Sequence, residues 1–264
     1  MSLPEYEVYS ILYARDEGRM SRDNFLGGDP HNVPMPMYFY VWAIRGSGRV
    51  FVVDTGFDET AASARGRILD RPVDAGLRAI GIESAEVRDV ILSHMHWDHA
   101  GNHSMFPEAV YHVQDTEMAY CTGRCMCHRT LQAPFDVADV QAMVGRIYQG
   151  RAIFHDGMAE LAPGLSLHLI GGHSKGLQCV RVHTRRGWMV LASDAAHYYA
   201  NFMERRVFPA TYNVGDTLEG YRIMHELAES PAHVVPGHDP LVETRYPAIR
   251  SGLTGVVRLD TDPI

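Results

Sequence analysis

Short apolar stretches separated by turn residues open the chain. Val8 to Tyr13 and Met37 to Ala43 read as strands, and Arg49 to Val53 as a third, joined to the second through Gly46-Ser47-Gly48. Between about Glu59 and Ile80 the sequence turns polar and alanine-rich, which predicts helices broken near Pro72. Val137, Val140, Val144, Ile147 and Tyr148 recur at helical spacing and predict an amphipathic helix whose apolar face is core or lid. Asp216-Thr217-Leu218-Glu219 has the layout of a capping box; the helix it opens carries Leu218, Tyr221, Met224 and Leu227 on one face and ends before Pro231. With no repeat and no low-complexity linker, the pattern predicts a mixed α/β chain.

The polar chemistry follows the ends of apolar runs. Val90-Ile91-Leu92 runs into His94, Leu165 to Ile170 into Gly171-Gly172-His173, Trp188 to Ala192 into Ser193-Asp194, and His233-Val234-Val235 into Pro236-Gly237-His238. Phe51-Val52-Val53 ends the same way, in Asp54-Thr55-Gly56. Sites in layered α/β proteins gather where strand ends feed loops. The densest stretch is His94-Met95-His96-Trp97-Asp98-His99, with three imidazoles and a carboxylate in six residues. Along one strand or helix these groups would diverge; in a tight loop they can converge on a metal, and they are ligand types that zinc and its neighbours take.

Composition narrows the partners. A chain of 264 residues, 46% apolar and 21% charged, can bury a sizeable core, and 1–264 reads as a single domain. A net charge of -8 without a basic stripe argues against nucleic acid, which requires a cationic surface. The N-terminal MSLPEYEVYS lacks the charged and apolar regions of a signal peptide, and no window approaches a membrane span, so the cytoplasm is the simplest address. Cys121, Cys125 and Cys127 lack the C-x2-C spacing of a zinc knuckle and, with Cys179, read as unpaired thiols. No G-x-S-x-G elbow offers a serine nucleophile.

Asp54-Thr55-Gly56, the His94 to His99 motif, Gly172-His173-Ser174, Ser193-Asp194 and Gly237-His238 together resemble the metallo-β-lactamase superfamily, in that family's order, from about residue 37 to 240. The resemblance implies an αβ/βα sandwich of two mixed β-sheets flanked by helices, with a metal site along one edge. It puts one divalent ion on His94, His96 and His173, a second on Asp98, His99 and His238, and Asp194 between them. Alternate residues His94 and His96 can face one ion while Asp98 and His99 face the other, and a carboxylate has two oxygens to share. Asp54 reads as the acceptor that orients an imidazole N–H. Zinc is the expected metal, with manganese, iron and cobalt as alternatives. Two such ions generate a bridging hydroxide at neutral pH, which implies hydrolysis without a covalent enzyme intermediate, Asp98 carrying the proton to the leaving group.

Within the superfamily the chain looks most like the N-acyl homoserine lactonase group, on its compact length, Trp97, the Ser193-Asp194-Ala195-Ala196 run and the early loop from Ser21 to Pro36 that would lie at the substrate entrance. The expected substrate is an N-acyl homoserine lactone or a related small, acidic lactone, and the implied oligomer is a homodimer. Where those lactonases often have a tyrosine three residues after the bridging aspartate, this chain has His197, followed by Tyr198 and Tyr199. His197 or Tyr198 is therefore expected to steady the oxyanion, with Tyr199 in the substrate pocket. Lys175, where the family usually continues with proline, is expected to meet a substrate carboxylate, and Phe25 and Met35 to line an acyl or ring pocket. Residues 116–155 are the least family-like and the expected lid. The alternatives are a thioesterase of the glyoxalase II kind or a phosphotriesterase on the same metals, and a catalytically silent metal-binding scaffold.

Overall fold

The computed structural model describes residues 3–264; Met1 and Ser2, the start of the N-terminal stretch read above, lie outside the described residues. A first sheet is built from β1 (Glu7–Asp16), β2 (Met37–Gly46), β3 (Arg49–Val53), β4 (Ile68–Leu69), β5 (Asp89–Ile91), β6 (Val110–Gln114) and β7 (Ala152–His155). A second contains β8 (Ala159–Ala162), β9 (Leu165–Leu169), β10 (Gln178–Thr184), β11 (Gly187–Ser193) and β12 (Val234–Pro236), and the last strand, β13 (Val256–Arg258), returns to the first. The spatial orders are β13-β1-β2-β3-β5-β6-β7, with β4 on β1, and β12-β11-β10-β9-β8. Both sheets are mixed: β3, β5, β6 and β7 run parallel, as do β11 and β12, and the remaining pairs are antiparallel. This is the expected sandwich of two mixed sheets flanked by helices.

Strand β2 explains how the layers assemble. Tyr40, Trp42 and Ile44 join a core shared with Leu167, Val180 and Leu191 of the second sheet, whereas Phe39, Val41 and Ala43 join a second core on the opposite face. A central strand covered on both faces reads as a continuous apolar run rather than an alternating one. The helix Val214–Leu227 packs Tyr221 and Met224 into the first core, and Val73–Ala79 packs Val73 and Leu77 into the second. No helix among the described residues is long and apolar enough to cross a membrane.

Local expectations meet two corrections. The helix Val137–Tyr148 buries Met143 and half-buries Val140, Val144 and Ile147, but Val137 and Tyr148 are 70% and 90% exposed, because the helix ends project past the core. The Asp216 run is not a capping box. Asn213 is the N-cap, its side chain accepting from the backbone N–H of Gly215 and Asp216, so the first turn begins three residues earlier. Its amide also donates to the Asp216 carboxylate at 2.8 Å, which explains why an acid sits in that turn. Replacing Asn213 by Ala should cost about 1 kcal/mol of unfolding free energy, and more than Asp216→Ala does. Denaturant titration of the two variants checks this, and the reverse order would return the cap to the Asp216 run.

Candidate metal centre

Strand ends bring the polar residues together. β3 ends at Asp54, β5 runs out just before His94, and β9, β11 and β12 lead into His173, Asp194 and His238. Asp54 and Ser193 hold left-handed backbones, with φ of 63° and 45°, so the chain bends sharply where each strand stops. Gly237 allows β12 to come close: a Cβ there would sit 2.7 Å from the Ser193 carbonyl oxygen and 2.8 Å from Asp194 Oδ1. Gly172, at φ 84°, lies against the start of the helix Val214–Leu227, where a Cβ would meet the Thr217 nitrogen at 2.7 Å.

The side chains so placed form two buried sets whose donor atoms lie within 4.8 Å of one another: His94, His96 and His173, and Asp98, His99 and His238. Asp194 joins them. Its Oδ2 is 3.2 Å from His173 Nε2 and 3.9 Å from His94 Nε2, and its Oδ1 is 2.9 Å from His238 Nε2 and 3.3 Å from His99 Nε2. The surrounding groups fix the tautomers. His173 Nδ1 donates to the Ala210 carbonyl, His238 Nδ1 to the Tyr38 carbonyl at 2.7 Å, and His99 Nδ1 to Asp54 Oδ2 at 2.8 Å. Carbonyl and carboxylate oxygens only accept, so each of these rings carries its hydrogen on Nδ1 and directs Nε2 inward. His173 Nε2 meets His96 Nδ1 at 2.8 Å, and the Nε2 atoms of His94 and His99 and Oδ1 of Asp194 are buried without a hydrogen-bond partner. Converging ring nitrogens and a carboxylate oxygen left without partners are costly when buried, and a cation is a group that relieves them. The donor set thus fits divalent metal of the kind that takes imidazole and carboxylate.

Electrostatics differ between neighbours five residues apart. Burial, reinforced by the imidazoles around them, holds His94 and His96 well below the usual imidazole range. His99 is equally buried, but Asp194, Asp98 and Asp54 outweigh that and raise it well above. Asp54 also accepts from the Ser93 N–H and hydroxyl and from the Ser193 hydroxyl, at 2.7, 2.8 and 3.2 Å, which ties the ends of three strands to one carboxylate.

The cavity over these donors encloses 190 Å³. His197 lines it: its ring stacks on Phe208 with centroids 3.7 Å apart, its Nε2 lies 3.0 Å from Asp194 Oδ2, and burial pushes the imidazole down to about 3. Tyr198 and Tyr199 do not line it. Tyr198 starts the helix Tyr199–Glu204, which turns both side chains away; its hydroxyl donates to the Pro36 carbonyl at 3.3 Å, and the Tyr199 ring lies under the Arg245 guanidinium. Those tyrosines and Met35 line a neighbouring cavity of 550 Å³ that contains none of the metal donors. Phe25 is buried beneath the Arg206 guanidinium, 3.5 Å from its ring centroid. Lys175 is exposed, its Nζ 5.1 Å from the Tyr212 ring, and lies outside the cavity. From the 116–155 segment, Pro134 and Phe135 form a wall beside His96, pinned by the Trp97 N–H donating to the Pro134 carbonyl at 2.9 Å. The four cysteines are free thiols.

One residue of that segment escaped sequence reasoning. Glu117, fully buried, accepts from the Met95 N–H at 2.8 Å through Oε1 and from the Ser174 hydroxyl and Gly176 N–H at 2.7 and 2.9 Å through Oε2. It fastens the His94–His99 loop to the His173 loop. A lone Glu in a helix of ordinary composition carries no sequence signal for this role. Arg19 and Arg67 also line the cavity and were not anticipated.

A metallo-enzyme sandwich with its donor cluster at the strand ends is the class that fold and site define. The chain belongs to the metallo-beta-lactamase superfamily, whose family description matches residues 38–242. It is 30% identical to the N-acyl homoserine lactonase AttM of Azorhizobium caulinodans over 175 residues, 63% of each chain. With the N-acyl homoserine lactonase AttM of Rhizobium johnstonii it shares 26% identity over 233 residues, 81% of this chain and 84% of that one. Among solved structures, AidC, a dizinc quorum-quenching lactonase in complex with a product, superposes with a TM-score of 0.71 at 15% identity, covering 98% of this chain and 95% of that one; at that identity the likeness shows the fold.

Replacing Glu117 by Gln keeps the shape but turns an amide toward donors, so the two loops should separate. Metal affinity, measured by competition with a chromogenic chelator, should fall about 10–100-fold, the usual cost of disturbing the groups that hold ligands. Unchanged affinity would leave Glu117 as core packing.

Proposed function

We propose that this chain is a metal-dependent hydrolase that opens a lactone ring, with His94, His96 and His173 holding one divalent ion, Asp98, His99 and His238 a second, and Asp194 shared between them. The observation that carries this reading is the placement of Asp194, one oxygen toward each set of imidazoles. Lactone opening is the activity named for the relatives that match most of this chain's length. Zinc is the metal the donor set suits first.

When bound, two such ions activate water as a nucleophile and polarise the carbonyl oxygen under attack. The chain's own groups then have distinct tasks. Asp54 and the carbonyls of Tyr38 and Ala210 keep three imidazoles in the ligating tautomer. His197, held neutral by burial, donates its Nε2–H to Asp194 Oδ2 and steadies the shared carboxylate. With that hydrogen committed, His197 acts on Asp194 rather than on the substrate oxyanion. Asp98 lines the cavity, and although burial opposes its ionisation, His99 and His238 outweigh it and hold the carboxyl well below its usual range. Asp98 is placed to carry the proton: as water's hydroxyl joins the carbonyl carbon it takes the water's remaining proton, and as the ring C–O bond breaks it passes that proton to the ring oxygen.

A hydrolysis panel of lactones, a thioester and a phosphotriester, run with metal content on the same sample, tests the reading. Lactone turnover well above the others with about two metals per chain is expected. Preference for the thioester or the phosphotriester would move the function to those reactions, and a metal-loaded but inactive protein would make it a binding scaffold. Asp194→Asn should lose metal and cut hydrolysis at least about 100-fold; full activity in a metal-depleted Asp194→Asn protein would break the mechanism.

A further inference from the structure

The metal cavity is closed on one side by two arginines from separate segments. Arg19 lies three residues past the end of β1, its carbonyl accepting from the Met35 N–H at 3.0 Å, so the early loop folds back and fixes its backbone. Arg67 stands just before β4, which pairs with the same end of β1. Both arginines are therefore anchored at one strand end, and both line the cavity that also contains His96, Asp98, Asp194 and His238.

Their charges are incompletely met. Arg19 donates to Asn24 Oδ1 at 2.6 Å and to the Asp23 carbonyl at 3.0 Å, both neutral acceptors. The Asp23 carboxylate is turned to Arg22, 3.7 Å away, and to the Met20 N–H. Arg67 has one carboxylate, Asp16, 3.0 Å from its Nη1, while its Nε is buried with no partner. Two arginines thus line the cavity with one acid between them, and the site's remaining carboxylates are engaged with imidazoles. A planar guanidinium whose charge is met only in part by its neighbours matches an oxyanion in charge and in geometry. The space directly over the donors is 190 Å³, small beside the roughly 300–1,000 Å³ of sites that enclose drug-sized ligands, and a 70 Å³ cavity adjoins it across His96, Pro134 and His173.

We propose that Arg19 and Arg67 receive an oxyanion substituent, so that the substrate is a small lactone carrying a carboxylate or phosphate group and not a neutral one with a long acyl chain. This rests on the lactonase reading for its reaction, though not for its anion site. It transfers to these arginines the role expected of Lys175, which faces solvent. Because the substituent lies away from the carbonyl under attack, the arginines bind ground state and transition state alike, and their loss falls on KM more than on kcat.

The test uses metal-loaded protein and matched pairs: γ-butyrolactone against its γ-carboxylate, and gluconolactone against its 6-phosphate. Wild type should favour the charged member of at least one pair, and that pair names the oxyanion. Arg19→Gln and Arg67→Gln should each raise KM for the charged substrate about 10-fold or more, and the double variant should lose the preference with its metal content intact. Calorimetric titration with the ring-opened products, 2-hydroxyglutarate and 6-phosphogluconate, gives a readout independent of turnover and should weaken in the same variants. No preference in wild type, or a preference that survives the double substitution, would overturn the proposal. If no lactone of either charge is opened, the lactonase reading falls and the titration decides the anion site: weaker binding in the variants supports it, equal binding overturns it.

Discussion

The Asp194 carboxylate touches imidazoles supplied by both sheets, and the geometry of the whole edge depends on that contact. His94 and His99 leave the first sheet after β5, His173 and His238 leave the second after β9 and β12, and Asp194 itself ends β11. Buried acceptors pointed at one another oppose folding unless something cationic lies between them. The fold meets that cost with one hydrophobic core that locks the two sheets face to face and a second that fastens helices to the outer face of the first sheet, so the donors converge whatever their mutual repulsion. A divalent ion then binds the folded chain and not the unfolded one, which couples metal to stability.

Around the donors lies a layer that aims them. Backbone carbonyls of Tyr38 and Ala210, the Asp54 carboxylate and the Tyr13 hydroxyl, which donates to the Asp98 carbonyl at 2.7 Å, each fix one ring or one stretch of loop. Glu117 works at longer reach, joining the His94–His99 loop to the His173 loop, which also touch through His96 and His173. These contacts come from segments far apart in sequence, so precision at the centre is a property of the assembled sandwich and not of the His94–His99 motif alone.

The clustering of His94 to His99, His173, Asp194 and His238 was legible because the apolar runs that lead to them are strands ending at one edge, a pattern that survives without knowledge of the contacts. Strands β2 and β3 were legible for a similar reason, since burial on both faces leaves continuous apolar runs. The sheet order was not, because pairings such as β1 with β13 join residues some 250 positions apart. Substrate-side residues were the least legible. His197, Tyr198 and Tyr199 are adjacent in sequence, yet only His197 lines the cavity, since the helix beginning at Tyr199 rotates the next two side chains away. Lys175 looked placed for a substrate because it follows His173 closely, but the loop turns between them and sends it outward. Arg19 reaches the site where the early loop folds back onto the end of β1, and Arg67 beside the strand that pairs with β1, neither of which a local pattern signals.

Anomalous X-ray diffraction from crystals of zinc-loaded protein, collected above and below the zinc edge, tests the central claim directly. The account predicts two anomalous peaks about 3.5–4 Å apart, one among His94, His96 and His173, the other among Asp98, His99 and His238, with Asp194 touching both. A single peak, or a pair in which Asp194 contacts only one ion, would contradict it.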